Sequence, residues 1–310
     1  MVDLSVRVGS LTLQNPVMPG SGTFSEELSR VVDLNRLGAF VTKSVTMAWR
    51  DGNPTPRICE TADGMLNSIG LPSKGVDYFL ANTVPFYRAF GPPLVASVSA
   101  DTPDEFAEIC ARVSVPGVAA IEVNISCPNL EADGHAFAME PDGTYDVVRR
   151  MRARTDRPLW AKLTPNTALI PEIAQAAESA GADALVVANT ILGMAIDVET
   201  FEPKLGTVTG GLSGPAVKPV IVRMVWQCAR AAGIPVIASG GVMTAADVVE
   251  YMAAGASAVQ VGTATFVKAD AMTSIIDELA AWCAARGIAR AADLTGRALP
   301  AAPQVLAKRA

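Results

Sequence analysis

Lys43, Asn124, Lys162 and Asn189 each stand at or next to the end of a short apolar run. An asparagine amide can both donate to and accept from a planar heterocycle, and a lysine ammonium offers positive charge to an anion or an electron-rich ring. One lysine in such a place reads as a side chain snorkelling out of the protein. Two lysines and two asparagines at equivalent places read as a site. No carboxylate pair accompanies them, so glycoside hydrolysis lacks its two reagents. His135 is the only histidine of the chain, which leaves almost no material for a Ser-His-Asp triad or a histidine-rich metal centre. It reads as a loop side chain, and no metal site is expected.

The most specific segment is Asn124-Ile125-Ser126-Cys127-Pro128-Asn129, which opens at the end of an apolar run and enters a long loop, Leu130–Thr144. Cys127 can be read as nucleophile, base or bystander. A papain-like nucleophile needs a histidine partner, and none lies close in sequence. A thiolate base needs nearby positive charge to bring its pKa toward working pH, and Lys43 and Lys162 are candidates. The other cysteines are Cys59, Cys110, Cys228 and Cys283; the total of five is odd and no C-x-x-C pair occurs. They read as thiols, mostly buried as small hydrophobes. Ser239-Gly240-Gly241 and Gly262-Thr263 follow the last two apolar runs. Glycine there lets backbone N–H groups approach a phosphate. Gly210-Gly211-Leu212-Ser213-Gly214 could serve the same phosphate or form a flexible lid segment.

The elements that carry these residues recur along the chain as an apolar run, a Gly/Asn/Ser/Thr stretch and an amphipathic segment, the pattern of βα units in a parallel sheet. Eight runs read as strands: Pro16–Pro19, Ala39–Lys43, Leu94–Val98, Ala120–Asn124, Leu159–Leu163, Ala184–Asn189, Val236–Ser239 and Ala258–Gly262. Helical patterns include Asp104–Arg112, Pro171–Ala180, Pro219–Ala232 and Ala245–Ala254. Leu4–Leu13 alternates around Gly9-Ser10 and reads as a leading hairpin. Eight strands with intervening helices predict an α/β fold, a (β/α)8 TIM barrel with an N-terminal β-hairpin and an active-site loop after strand 4. Its site lies at the C-terminal ends of the strands, with the phosphate loops after strands 7 and 8. An open doubly wound sheet would usually carry G-x-G-x-x-G at its first βα turn, and nothing there matches.

The chain has 310 residues, half of them apolar, enough for one barrel domain over residues 1–310. Its 25 basic and 31 acidic residues leave a net charge of −6. That balance argues against a general nucleic-acid binder and a polybasic membrane anchor. No apolar run reaches the roughly 18 residues of a membrane span. The opening has no basic segment followed by an apolar one, so the expected compartment is the cytoplasm.

With these residues in place, the sequence resembles the class 1 dihydroorotate dehydrogenases over nearly its whole length. The carriers are Thr42-Lys43-Ser44-Val45-Thr46, Gly52–Arg57, Gly64–Leu71, Asn124–Asn129, Lys162-Leu163-Thr164-Pro165-Asn166, and Gly210–Pro219 followed by Arg223-Met224-Val225. Cysteine at 127, where membrane-bound class 2 enzymes carry serine, points to class 1. Gly52–Arg57 and Gly210–Pro219 look like the class 1B catalytic subunit.

The resemblance implies a barrel that uses FMN to oxidise dihydroorotate to orotate in pyrimidine synthesis. FMN would be held at Ser21, Lys43, Ser44, Asn124, Lys162, the backbone at Ala188, Gly214, Gly240, Gly241, Gly262 and Thr263. Substrate would meet Lys43, Asn67, Ser68, Ile69, Gly70, Leu71, Asn124, Asn129, Asn189 and Thr190. Cys127 matches the catalytic base, taking a proton from C5 while hydride leaves C6 for the flavin. Lys162 would stabilise charge on the reduced flavin. The family also implies a homodimer and, in class 1B, a heterotetramer with an electron-transfer subunit carrying FAD and a [2Fe–2S] cluster, with NAD as final acceptor. This chain lacks the cysteine set for a cluster, so any cluster belongs to a partner chain. One departure stands at Ser97, where the family usually has asparagine. The rival readings are an FMN barrel of the dihydropyrimidine dehydrogenase type, against which Asn129 counts, and a Schiff-base or phosphate-binding barrel lyase with Lys162 as its amine.

Overall fold

The computed structural model describes residues 2–126 and 136–300. The strands, in chain order, are β1 (Val6–Val8), β2 (Leu11–Leu13), β3 (Val17–Pro19), β4 (Phe40–Val41), β5 (Ile58–Thr61), β6 (Gly64–Asn67) and β7 (Leu94–Val98). There follow β8 (Ala120–Asn124), β9 (Leu159–Lys162), β10 (Ala184–Val187), β11 (Ile191–Met194), β12 (Thr209–Ser213), β13 (Val236–Ser239) and β14 (Ala256–Val261).

Eight strands form one parallel sheet in the order β3-β14-β13-β10-β9-β8-β7-β4. Their near-continuous apolar sequences suit strands covered on both faces. Between the end strands, the Gly38 N–H donates to the Val17 carbonyl at 2.8 Å, which brings the sheet round on itself. Glycine is needed there because a Cβ on Gly38 would stand 2.2 Å from the Asn15 carbonyl oxygen. The barrel expected from the strand count is therefore the fold: Leu94–Val98, Ala120–Asn124 and Val236–Ser239 keep their expected bounds, and the other five strands differ by a residue or two at one or both ends. The antiparallel hairpin β1–β2 precedes it, with Val6 paired to Leu13.

The helices follow from spacing and caps. Pro103–Val113 buries Phe106, Ile109, Cys110 and Val113, which lie on one face at helical period. The Thr102 side chain accepts from the Glu105 N–H and caps that helix. Ala245–Ala253 opens with a capping box between Thr244 and Asp247.

Two expectations change. Gly210–Gly214 is not a flexible lid segment: Thr209–Ser213 is a strand in a second, four-stranded antiparallel sheet of order β11-β12-β6-β5. Glycine suits that strand for lack of space, since a Cβ on Gly211 would stand 1.9 Å from Thr190 Oγ1. The loop after strand 4 also ends earlier than Thr144, because a helix begins at Pro141. Proline's fixed φ and missing N–H suit that first helical position.

Candidate active site

At the C-terminal ends of the barrel strands the chain leaves a cleft of about 400 Å³, between those ends and the β11-β12-β6-β5 sheet. Two polar systems reach its floor from the layer behind.

The first is neutral and runs through buried hydroxyls and amides. Ser97 Oγ lies 3.0 Å from Ser44 Oγ. Asn124 Nδ2 donates to Ser44 Oγ at 3.0 Å, and Ser126 Oγ donates to Asn124 Oδ1 at 2.8 Å. Asn189 Nδ2 donates to Ser126 Oγ at 2.9 Å, while Asn189 Oδ1 accepts from the Thr190 N–H at 2.8 Å. These bonds fix which way each amide faces. Each Nδ2 keeps a second hydrogen, and both asparagines line the cleft. The pair is thus set to donate to carbonyl or carboxylate oxygens. Ser97 is buried behind the cleft wall and acts on it through Ser44.

The second system is charged. Lys162, at the end of β9, donates to Ser21 Oγ at 2.9 Å and to Gln260 Oε1 at 3.3 Å. Gln260 Nε2 donates to Glu122 Oε2 at 2.6 Å. Because β8 and β14 are not neighbours in the sheet, this last bond crosses the barrel interior. Lys162 and Glu122 form an ion pair at 3.7 Å with side chains 5% and 0% exposed. Lys43 follows β4 and lies beside Gly22, where a Cβ would stand 3.4 Å from its Nζ.

At one end of the cleft lie Gly240, Gly241, Gly262 and Thr263, after the last two barrel strands. Gly241 has φ +68°, and a Cβ there would stand 2.8 Å from the Gly214 carbonyl oxygen and 2.8 Å from Lys218 Cβ. Packing against Gly214 and Lys218 thus leaves no room for a side chain at 241, while the backbone of both loops lines the cleft. The Tyr251 hydroxyl donates to the Gly240 carbonyl. The Asp247 carboxylate braces the same loop, accepting from the Met243 and Thr244 N–H groups at 2.9 and 2.8 Å and from Lys218 Nζ at 2.6 Å. Burial alone raises Asp247, but its hydrogen bonds from Lys218, Met243 and Thr244 outweigh that and hold the carboxyl below its ordinary value. Thr263 Oγ1 donates to Ser213 Oγ at 2.8 Å, tying the barrel to the second sheet.

Of the residues expected at the site, Ser21, Lys43, Ser44, Asn124, Lys162 and Ala188 line this cleft. So do Asn67, Ile69, Gly70, Leu71, Asn189 and Thr190. Two described residues do not. Ser68 is buried, and its hydroxyl accepts from Asn53 Nδ2 at 2.8 Å and Thr207 Oγ1 at 2.6 Å, which supports the segment carrying Ile69 and Gly70. Gly214 sits behind Gly241. Cys127, Asn129 and His135 lie outside the described residues. Cys110 and Cys228 are buried and pushed up to about 12 by that burial, as inert thiols are. Among the described residues no cluster of His, Cys, Asp or Glu could hold a metal ion, and no helix is long and apolar enough to cross a membrane.

Glu122 and Gln260 were not among the expected site residues, and Ser126 had no assigned role. A signal existed. Glu122 is a charged residue inside an apolar strand, two positions before Asn124, and strand period two sends both side chains to one face. Gln260 breaks the apolar run of β14 in the same way.

The family model for dihydroorotate dehydrogenase matches residues 3–282. The chain is 53% identical over 296 residues to the dihydroorotate dehydrogenase B (NAD(+)) catalytic subunit of Trichlorobacter lovleyi, covering 94% of this chain and 97% of that one. It is 48% identical to the protein of the same name from Geobacter sulfurreducens, covering 95% and 97%. A solved Eimeria tenella DHODH, crystallised with ferulenol, superposes with a TM-score of 0.80 at 24% identity, over 95% of this chain and 88% of that one, and shares the fold. A family match across most of the chain, joined to relatives near half-identical along nearly their full length, makes this protein a member of the dihydroorotate dehydrogenase family.

Proposed function

We propose that this chain is the catalytic subunit of a class 1B dihydroorotate dehydrogenase, oxidising dihydroorotate to orotate at the cleft described above. The observation that carries the reading is the convergence of Lys43, Asn124, Lys162 and Asn189 with two glycine loops in one cleft. The name of its relatives, dihydroorotate dehydrogenase B (NAD(+)), supports the same activity and acceptor.

The lining fits FMN. The glycine loops at Gly240-Gly241 and Gly262-Thr263, which line the cleft, suit its phosphate, the apolar faces of Ala188, Met65 and Leu71 suit a planar ring, and Lys162 and Asn124 offer a cation and a donor. Ser21, Lys43, Ser44, Asn124, Lys162 and the backbone of Ala188, Gly240, Gly241, Gly262 and Thr263 would hold it. When bound, FMN supplies a two-electron acceptor, chemistry that no side chain here provides. The chain's own residues position and polarise the substrate. Asn124 and Asn189, with amides oriented by Ser126, donate to the oxygens of the pyrimidine ring. Asn67, whose Nδ2 donates to the Gly211 carbonyl at 3.1 Å, closes the cleft from the second sheet with Thr190, Ile69, Gly70 and Leu71. Lys43 pairs with the substrate carboxylate. Cys127 takes the C5 proton, and Asn129 completes the substrate contacts from the same loop.

A partner subunit would carry the FAD and [2Fe–2S] cluster that link this chain to NAD as final acceptor. The chain itself pairs as a homodimer within that assembly, in the cytoplasm.

The test is stopped-flow reduction of FMN-loaded protein by dihydroorotate without oxygen, in wild type and Cys127→Ala. The variant keeps FMN and loses roughly 10²–10⁴-fold in rate, as expected for loss of a general base. Wild-type speed in the variant overturns the assignment of the base. No flavin reduction in wild type overturns the activity.

A further inference from the structure

Glu122 is a fully buried carboxylate that no step above uses. Its Oε2 accepts the 2.6 Å bond from Gln260, and its Oε1 has no hydrogen-bond partner among the described residues. That second oxygen instead faces Lys162 Nζ at 3.7 Å. Gln260 bridges the two charges with its oxygen toward the ammonium and its NH2 toward the carboxylate. Flipping this amide would set its NH2 against the ammonium and its oxygen against the carboxylate. Lys162 and Ser21 line the cleft, whereas Glu122 and Gln260 do not. An ammonium therefore stands at the cleft wall with its counter-charge held one layer behind.

Packing does not call for this arrangement. Exchanging a buried ion pair for well-packed neutral residues of similar volume is often neutral or stabilising, because both charges must be desolvated. An arrangement that costs stability and abuts the cleft points to an electrostatic role there.

We propose that Glu122, acting through Gln260, is a positioning residue that sets how much of the Lys162 charge reaches the bound electron acceptor, and so fixes that acceptor's reduction potential. The proposal rests on the FMN reading above. Dihydroorotate loses two electrons and two protons on becoming orotate, and the acceptor takes the electrons; Glu122 adds no step and only moves the balance of that exchange. An acceptor gains negative charge as it is reduced. Lys162 favours the reduced form, and Glu122 behind it tempers the effect. In a water-poor interior such charges act with little screening.

Two substitutions give opposite signs. Glu122→Gln keeps the shape and one hydrogen-bonding oxygen but removes the negative charge, so Lys162 acts untempered and the potential rises. Gln260→Leu keeps both charges and a similar volume but removes the amide that engages each of them, so the carboxylate and the ammonium are left to pair with one another and the potential falls. The experiment is spectroelectrochemical titration of FMN-loaded wild type and both variants at pH 7. For Glu122→Gln the two-electron equilibrium shifts at least tenfold toward reduction, about 30 mV, and for Gln260→Leu it shifts the other way. Unmoved potentials, or shifts of one sign in both variants, overturn the proposal; a purely structural role alters stability or FMN affinity without this pair of signs. If Glu122→Gln does not fold, Gln260→Leu decides alone: a fall supports the proposal, and a rise or no change overturns it. Wild-type protein that takes up no FMN would overturn the function reading and the proposal with it, whereas flavin uptake with unmoved potentials overturns the proposal only.

Discussion

The two polar systems that back the cleft solve different problems with different chemistry. On one side, Ser97, Ser44, Asn124, Ser126 and Asn189 form a chain of neutral groups, each bonded to the next. On the other, Lys162, Gln260 and Glu122 bring opposite charges together with one carboxylate oxygen left over. The neutral chain fixes direction, because a bonded amide cannot turn without losing partners at both ends. The charged cluster fixes potential, because charge acts beyond the atoms it touches. A satisfied neutral network is cheap to bury, while a buried pair becomes strongly destabilising once either partner is removed.

The largest expected effect tests that asymmetry. Lys162→Met in flavin-free protein leaves Glu122 as an uncompensated buried charge and should cost about 3–5 kcal/mol of stability, read by chemical denaturation. Ser126→Ala should cost only about 1–3 kcal/mol, the penalty for leaving Asn124 Oδ1 without its donor. Equal losses would break the comparison.

A smaller effect separates direction from potential. Ser126→Ala should weaken orotate binding by about fivefold, equivalent to one lost hydrogen bond of about 1 kcal/mol, and leave the flavin potential where it was. Titration of the flavin spectrum with orotate reads the first quantity and spectroelectrochemistry the second. A moved potential with unchanged orotate affinity would reverse the roles assigned to the two systems.

The smallest effect belongs to a third, wetter charge pair. Lys218 and Asp247, 27% and 11% exposed, brace the loop that carries Gly240 and Gly241. Asp247 is held below its ordinary value in the folded protein. Its contribution is therefore present above the unfolded carboxyl value near 3.8 and is lost as pH falls through the lower folded value. The Tm gap between wild type and Asp247→Asn should stay level from pH 8 to 5 and close below about pH 4. A gap that widens on acidification would contradict the direction of that shift.

Much of this was legible in the chain, for a physical reason. The barrel strands are apolar because both their faces are covered, and the polar residue at each end marks the face where ligands sit. The second sheet was not legible. β5 and β11 alternate between partly buried and exposed residues and run for four residues each. β12 carries Gly210 and Gly211, which look like loop but are strand because Asn67 and Thr190 press so close. Lys162 could be read as a site residue from its place at a strand end. Its tie to Glu122 could not, since the two stand diagonally across the paired strands β8 and β9, and Gln260 of β14 reaches them only across the interior of the closed barrel.

In the proposed function dihydroorotate gives its electrons to a flavin held in this cleft. The most direct measurement is an anaerobic titration of FMN-loaded protein with dihydroorotate, following flavin absorbance and orotate formation together. One orotate should appear for each flavin bleached, with the end point at one dihydroorotate per flavin. A flavin that stays oxidised, or bleaches without orotate appearing, would contradict it.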